Sequence, residues 1–258
     1  MVELDGAGAP VYNNQYSFTF NGIDEKFDGV NDSAFDLIDE FTLSAWIKPE
    51  SKDPPDDGAI IDKSTGNIGG LGTGWSLYHD DNNPGGVAVD FKSGSIASGR
   101  ETLRSTSITA GTWHHVAATW RNGTGSLYVD SILEDDVEAS FDEITANTQN
   151  VIIGATSPSP TAANDYTGSI QNVSIWNSEF NQADINELFN GGTPTDLNNH
   201  SKISSGVAWY QLGGNGDDDT FNSGVVPNRW ECDNSFNPGT YILRGLPMPF
   251  STRVTDTP

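Results

Sequence analysis

The sequence of 258 residues predicts an all-β protein: a two-sheet antiparallel sandwich with one short helix and a C-terminal extension. Short runs alternate between apolar and polar residues, which is typical of strands that pack on one face. The 28 glycines and 13 prolines supply the turns that such strands need. Because helix signals occur in a single segment, about ten strands in a chain of this length favour a sandwich or a barrel.

The chain divides into three parts. Residues 1–15 are rich in Gly, Pro and Asn and are expected to form an N-terminal arm, which precedes a β-sandwich at 16–192. Residues 41–47 alternate most clearly, because every second side chain is apolar. The predicted strands of the sandwich are 16–20, 41–47, 59–62, 75–78, 87–91, 113–120, 126–129, 151–153 and 169–176.

The one predicted helix begins after Asn181, which is suited to an N-cap position. Asp184 stands three residues on and gives an imperfect capping box, while Phe180 and Ile185 occupy the two positions of a hydrophobic staple. The glycines at 191–192 are expected to end the helix. The helix is predicted to lie across the edge of the sandwich and to have a structural role.

Residues 193–258 are expected to form an extension that packs on the sandwich or on a neighbouring molecule. They contain one clear strand candidate, at 207–212, and many loop signals. The segment 246–250 contains two prolines and must be extended. This end of the chain is expected to dock the protein on its partner through Arg244, Leu246, Met248, Phe250 and Arg253.

The formal net charge of −24 excludes some partners. Such a surface repels a phosphate backbone, so nucleic-acid binding is not expected. The sequence contains no run of about 20 apolar residues, which is the length that a membrane span needs, so membrane insertion is not expected. The first residues lack the basic and apolar regions of a secretion signal. The single cysteine, Cys232, rules out an intramolecular disulfide.

Four segments, in order, resemble one known family. GTWHHVAATW at 111–120, followed by GSLYVD at 125–130, resembles a central hairpin of laminin-G-like, concanavalin-A-like domains. YSFTFNGID at 16–24 and FTLSAWIKP at 41–49 are similar to earlier strands of that family, and 166–177 to its last strand. The resemblance implies a lectin-like jelly-roll sandwich.

The extension resembles the layout of laminin-G-like proteins in tailed phages of marine bacteria. The matching pieces are NGGTPTDL at 190–197, VAWYQLG at 207–213 and the acidic cluster at 217–219. This resemblance implies a non-enzymatic virion structural protein, either a capsid decoration or a fibre or spike component. It would assemble in the host cytoplasm as a homo-oligomer and bind other virion proteins, such as the major capsid protein. Its sandwich would face outward on the virion surface and contact a host surface glycan.

Two alternatives stay open. One is a carbohydrate-binding or adhesin module of a protein on the extracellular surface of a bacterium. The other is a glycoside hydrolase, because Glu134, Asp136 and Glu138 have the E-x-D-x-E spacing of glucanases with this fold. Alternation would place these three carboxylates on one strand face. Asp135 and Val137 depart from the two apolar residues of the glucanase pattern, so a solvated acidic strand and no enzymatic activity are expected.

The resemblance also implies a Ca²⁺ site at one rim of the sandwich. Its ligands would be Asn21, Gly22, Asp24 and Gln171, which supply amide, backbone and carboxylate oxygens. Gln171 stands where the family has Asp and lacks its charge. Either a weakened site or an empty one is therefore expected.

The histidines and most of the tryptophans are expected to have structural roles. His114 and His115 are adjacent on a predicted strand, so their rings point to opposite faces and cannot share one metal ion. Most tryptophans fall within strand patterns and are expected in the core. Trp230, in the extension, is the best candidate for stacking on a sugar.

Overall fold

A computed structural model describes residues 17–23, 25–29, 31–51, 54, 57–82, 85–94, 99–106, 108–156 and 164–212, together with the backbone of three short strands beyond them. In chain order the strands are β1 (Ser17–Asn21), β2 (Lys26–Asp28), β3 (Glu40–Pro49), β4 (Gly58–Ser64), β5 (Gly74–Asp80), β6 (Gly86–Lys92), β7 (Arg100–Arg104), β8 (His114–Arg121), β9 (Thr124–Val129), β10 (Ile132–Glu138), β11 (Ile152–Ile153), β12 (Thr167–Trp176), β13 (Gly206–Tyr210), β14 (Trp230–Asp233), β15 (Tyr241–Leu243) and β16 (Arg253–Val254).

The strands form two antiparallel sheets, which confirms the predicted sandwich. The first sheet has the order β10-β9-β8-β3-β12-β1-β16, and β13 also pairs with β12. The second sheet has the order β15-β14-β2-β11-β4-β5-β6-β7. Large aromatic side chains join the sheets, since Phe41 of β3 packs against Trp75 and Phe91, with ring centroids 6.2 and 6.0 Å apart.

Helix α1 (Gln182–Phe189) has the predicted N-terminus. The side chain of Asn181 accepts from the backbone N–H groups of Ala183 and Asp184, and Asp184 completes the capping box. Asn190 ends the helix in the left-handed conformation, with a φ of 46°, one residue before the predicted glycines. None of the helical segments in the described ranges has the length and apolarity of a membrane span.

Helix α1 packs on the side of the first sheet that faces away from the second sheet, and not across the edge of the sandwich as predicted. A second apolar cluster lies there, which includes Trp176, Trp209 and residues of the helix. Phe189 stacks on Trp46, with the two ring planes 17° apart. The predicted core position of the strand tryptophans is confirmed for Trp75, Trp120, Trp176 and Trp209.

Strands from residues 193–258 extend both sheets. β13 pairs with β12 and β16 with β1 in the first sheet, while β14 pairs with β2 in the second. Of these three strands, β13 overlaps the predicted strand at 207–212 and begins one residue before it. The division of the chain at residue 192 stays a prediction.

The expectation that Glu134, Asp136 and Glu138 share one face of a strand is wrong. The register of β10 against β9 shifts between Leu133 and Asp135, so that Glu134 lies in a β-bulge. A bulged residue breaks the alternation of side chains between the two faces. Glu134 therefore points away from the face that Asp136 and Glu138 occupy.

The bulge places two carboxylates against β7, the edge strand of the second sheet. The backbone N–H of Arg104 donates to Asp135 Oδ2 at 3.0 Å, and that of Thr106 donates to Glu134 Oε2 at 2.9 Å. Unpaired edge N–H groups are templates for pairing with another chain. The acidic segment of β10 therefore closes this side of the sandwich.

Candidate functional site

The outer face of the second sheet carries polar side chains in cross-strand rows. In β6, Val87, Val89 and Phe91 belong to the core, so Ala88, Asp90 and Lys92 face outward. The register of β4 to β7 then defines three rows, which together we call the outer face: Ser64–Gly74–Lys92–Arg100, Asp62–Ser76–Asp90–Thr102 and Ala59–Tyr78–Ala88–Arg104.

Most of the outer face is buried, which is unusual for the solvent side of an antiparallel sheet. Residues 65–73, between β4 and β5, fold back over it; we call them the strap. Ile68 of the strap is 7% exposed and packs on Ala59, Tyr78 and Ala88. The β7 end of the rows is left accessible.

Asp90 is the centre of the hydrogen bonds beneath the strap. It accepts from Thr102 Oγ1 at 2.6 Å, from Tyr78 Oη at 3.3 Å and from the backbone N–H of Gly69 at 2.9 Å. Burial raises the pKa of Tyr78 above its ordinary value, and the charge of Asp90 adds to this effect. The tyrosine is thus a fixed hydrogen-bond donor to Asp90.

Lys92 is the buried cation of the outer face. Its Nζ donates to the backbone carbonyl of Asn67 at 3.1 Å and to Ser64 Oγ at 3.3 Å, and it lies 3.8 Å from Asp90 Oδ2. Burial lowers the pKa of Lys92, an effect that the charge of Asp90 opposes. The strap is therefore tied to the sheet through both a carboxylate and an ammonium group.

Two arginines stand at the accessible edge on β7. Arg104 donates from Nε to Oδ2 of the buried Asp80 at 2.7 Å, while 39% of its side chain is exposed. Arg100 Nε lies 3.9 Å from Asp90 Oδ1, and 25% of its side chain is exposed. Each guanidinium is oriented by a buried carboxylate, and Thr102 lies between the two arginines on the same face.

Three carboxylates meet at the end of the outer face beside Arg104. One oxygen from each of Asp57, Asp80 and Asp81 lies within 4.8 Å of the others. Burial raises the pKa of Asp57 to about 7, and the neighbouring carboxylates of Asp81 and Asp80 add to the rise. This cluster has the donor chemistry that hard divalent cations prefer.

The structure describes three of the four predicted calcium ligands, Asn21, Gly22 and Gln171. Asn21 pairs with Thr167 at the end of β1, and its Oδ1 accepts from the backbone N–H of Ile23. Gln171 lies four residues further along β12, which places it ~13 Å from Asn21. Asp24 lies outside the described residues, while Gly22 has a φ of 69° in the turn after β1. The assignment of a Ca²⁺ site to these four residues stays a prediction.

The predicted contacts of the extension fall at the margin of the described structure. Trp230 begins β14 and Arg253 begins β16, where only the backbone is described. The docking residues at 244, 246, 248 and 250 lie outside the described ranges. Their roles, and sugar stacking by Trp230, stay predictions.

Sequence reasoning missed the outer face altogether. β7 contains Arg100-Glu-Thr-Leu-Arg104, in which one apolar residue gives too little alternation to predict a strand. The available signal was Asp90, which interrupts the apolar run at 87–91. A charged residue there could equally have faced solvent, and the strap over it has no periodic pattern.

Comparisons with known proteins agree with this architecture. A model of a laminin-G family, described as the concanavalin A-like lectin/glucanases superfamily, matches residues 24–186. The adhesion G-protein coupled receptor V1 of Danio rerio is 29% identical over 170 residues, which are 64% of this chain. The matched segment is 3% of the length of that receptor.

Solved structures with the same fold include a pentraxin and a sialidase CBM40. A heptameric SAP-like pentraxin from Limulus polyphemus has a TM-score of 0.56 and 13% identity, with 92% of this chain and 98% of that chain covered. The CBM40 of the Ruminococcus gnavus IT-sialidase, solved with α2,3-sialyllactose, has a TM-score of 0.55 and 15% identity, with 67% and 96% covered. At these identities the two structures support the fold.

Proposed function

The chain belongs to the concanavalin A-like lectin/glucanases superfamily, and on this premise we propose that it is a carbohydrate-binding module that holds a glycan along the β7 edge of the outer face. This proposal favours the carbohydrate-binding alternative over the virion role. The virion partners, the homo-oligomer and the docking role of the extension stay predictions.

One observation carries the proposal: the edge presents donors and acceptors side by side. Arg104 is fixed by Asp80, Arg100 lies beside Asp90, and Thr102 stands between the arginines. A sugar hydroxyl both donates and accepts hydrogen bonds, so a row that mixes guanidinium, hydroxyl and carboxylate groups suits it. The two arginines are ~13 Å apart along β7, which is long enough for more than one sugar ring.

The electrostatics of the edge also support a glycan. The chain has a net charge of −24, so a polyanionic ligand would be repelled at long range. Each arginine of the edge has a carboxylate partner, which leaves the edge with little net charge of its own. This balance favours a neutral glycan, or one with few charges, over a highly sulfated polymer.

We assign the implied calcium ion to the carboxylates of Asp57, Asp80 and Asp81 rather than to the residues predicted from the sequence. Asp57, Asp80 and Asp81 offer three oxygens within reach of one ion. Burial raises the pKa of Asp57, the neighbouring carboxylates add to the rise, and a divalent cation would offset the repulsion among the three groups. Binding would displace the proton that Asp57 holds near neutral pH, and backbone carbonyls and water would complete the six to eight ligands that Ca²⁺ takes. When bound, the ion would offer sugar hydroxyls a positive charge beside Arg104.

We keep the expectation that the protein is not an enzyme as part of the proposal. The bulge at Glu134 separates the carboxylates of the glucanase-like spacing. Glu134 and Asp135 are occupied with the backbone of the β7 edge. A binding module of this kind would act on an extracellular surface.

A glycan array tests the proposal. The purified chain is applied in buffer with and without Ca²⁺ to an array of neutral, sialylated and uronic-acid glycans. Arg104→Ala is expected to lose most of the signal, because it removes the more exposed of the two arginines on the β7 edge. Arg121→Ala, an equally charged change on the first sheet, is the matched control. Equal signals from these two variants, or no signal from the native chain, would overturn the proposal.

A further inference from the structure

The strap covers more polar chemistry than its own attachment uses. Ser76 is fully buried between Asp62 and Asp90 on the outer face, and its Oγ has no hydrogen-bond partner among the described residues. Buried hydroxyl groups normally have a partner, since an unsatisfied one is costly. An unpartnered hydroxyl between two buried carboxylates therefore requires an explanation.

The strap has the composition and attachments of a segment that can open. Four of its nine residues are glycine, at positions 66, 69, 70 and 72. Its base is closed by bonds between Thr65 and Thr73, among them Oγ1 to Oγ1 at 2.9 Å. A side chain at Gly72 would clash with the carbonyl of Thr65, so the two sides of the base can approach only without one.

A single apolar side chain fastens the strap to the sheet. Ile68 sits on the aromatic ring and two alanines of the third row, while Leu71 of the same strap is 62% exposed. Bonds from Gly69 to Asp90 and from Lys92 to Asn67 attach the middle of the strap, and Asn147 Nδ2 donates to the carbonyl of Thr73 at its base. The two bonds in the middle of the strap pair a backbone N–H with a carboxylate and a carbonyl with an ammonium group, which hydroxyl groups of a ligand could replace.

We propose that the strap covers an enclosed sugar subsite, which it occupies in the absence of ligand with Ile68 in the place of a sugar ring. The inference rests on the proposed function and extends it inward from the β7 edge. With the strap raised, Tyr78 offers an aromatic surface, Asp62 and Asp90 offer acceptors, and Lys92 offers a donor. The ligand of this subsite is a neutral sugar, because a carboxylated one would face two carboxylates and one ammonium group.

Occupation by the strap reduces the affinity of the resting protein. If the open state is a small fraction of the molecules, the apparent dissociation constant rises by the inverse of that fraction. Weakening the strap should therefore tighten binding, whereas removing a residue that only contacts the ligand should weaken it. These opposite signs separate a covering segment from an ordinary wall of the site.

The test uses two substitutions in the strap of the full chain. Ile68→Gly removes the anchor, and Leu71→Gly removes a side chain of the same size that is exposed. Hydrogen–deuterium exchange is followed in residues 65–73, and binding is measured on an array that carries neutral and sialylated glycans. Ile68→Gly is expected to speed exchange in the strap and to raise the affinity for neutral glycans about tenfold. Leu71→Gly is expected to leave both unchanged.

Each result decides one part of the inference. Exchange in 65–73 as slow as in β5, both in the native chain and in Ile68→Gly, would overturn the opening of the strap. Faster exchange with weaker glycan binding would show that the strap is a wall of the site, which also overturns it. If Ile68→Gly exchanges faster and neither form binds any glycan, the opening stands, while the sugar subsite and the proposed function both fail.

Discussion

Arg104 and Asp80 form the closest ion pair of the outer face, with Nε 2.7 Å from Oδ2. The carboxylate is fully buried and the guanidinium is partly exposed, so the pair fixes the direction of the arginine toward solvent. A bond made through Nε leaves the terminal nitrogen atoms for a ligand. Arginine is suited to this arrangement because its planar fork makes several directed bonds at once.

The first prediction concerns that fork. Arg104→Lys keeps the charge but loses the second set of donors, so glycan affinity should fall about tenfold while the melting temperature changes little. Isothermal titration with a glycan identified on the array measures the first effect, and thermal unfolding measures the second. Arg121→Lys, on the first sheet, should alter neither quantity. Unchanged affinity in Arg104→Lys would show that the guanidinium geometry does not contribute to binding.

The second prediction concerns a buried histidine. His115 Nε2 lies 2.8 Å from Ser44 Oγ, and burial lowers the pKa of His115 to about 4, an effect that Asp130 partly opposes. The unfolded chain binds this proton near pH 6.5, so the contribution of His115 is complete above that pH and is lost as the pH falls toward 4. The loss should amount to about 3 kcal/mol.

Urea unfolding between pH 7.5 and 4 checks this prediction. His115→Gln removes the titrating ring, so the native chain should lose more stability than the variant over that interval. Because all carboxylates are shared, the difference between the two slopes isolates His115. Parallel slopes would mean that the folded protein protonates His115 at its ordinary pKa.

The third prediction concerns divalent cations. If Ca²⁺ binds at Asp57, Asp80 and Asp81, a hundredfold excess over its dissociation constant should raise the melting temperature by about 5–10 °C. Asp57→Asn and Asp81→Asn should remove most of this shift, since each deletes a charge from the cluster. Asp136→Asn, on exposed β10, is the control and should keep it. A shift that survives in all three variants would place the ion elsewhere.

The fourth prediction concerns the acidic segment of β10. Replacing Glu134 and Asp135 together by alanine removes the acceptors of two edge N–H groups, which should cost about 1–3 kcal/mol and promote aggregation. Replacing Asp136 and Glu138 together removes the same charge from the exposed part of the strand. Urea unfolding and light scattering compare the two double variants. Equal behaviour would mean that the net charge, and not the capping of β7, keeps the edge apart.

Elements with strong local signals were predictable. Phe41, Leu43, Ala45 and Ile47 alternate without interruption, and each is fully buried in β3. The helix start at Asn181 follows from side-chain chemistry that acts within four residues. Where a pattern and its cause lie in the same short segment, the sequence contains enough information.

The outer face depended on contacts between distant segments. Asp90 is buried because the strap folds over it, and Gly69 of the strap, twenty-one residues earlier, donates to it. The bulge at Glu134 is supported by Thr106, twenty-eight residues away. The resemblance to a family directed attention to Asn21 and Gln171. Asn21 pairs with Thr167 of β12, however, and Gln171 lies four residues further along that strand. Predicting such sites requires knowledge of which strands become neighbours.

The position of β1 has a consequence for the way in which the chain folds. β1 lies between β12 and β16, so Phe18 pairs with Ile170 on one side and with Arg253 on the other. At ordinary rates of synthesis, about ten seconds or more separate the emergence of β1 from that of β12. During this interval β1, which contains Phe18 and Phe20, has neither of its neighbouring strands. The first sheet should therefore close late and slowly, and binding by chaperones that recognise exposed aromatic segments should concentrate on these first strands.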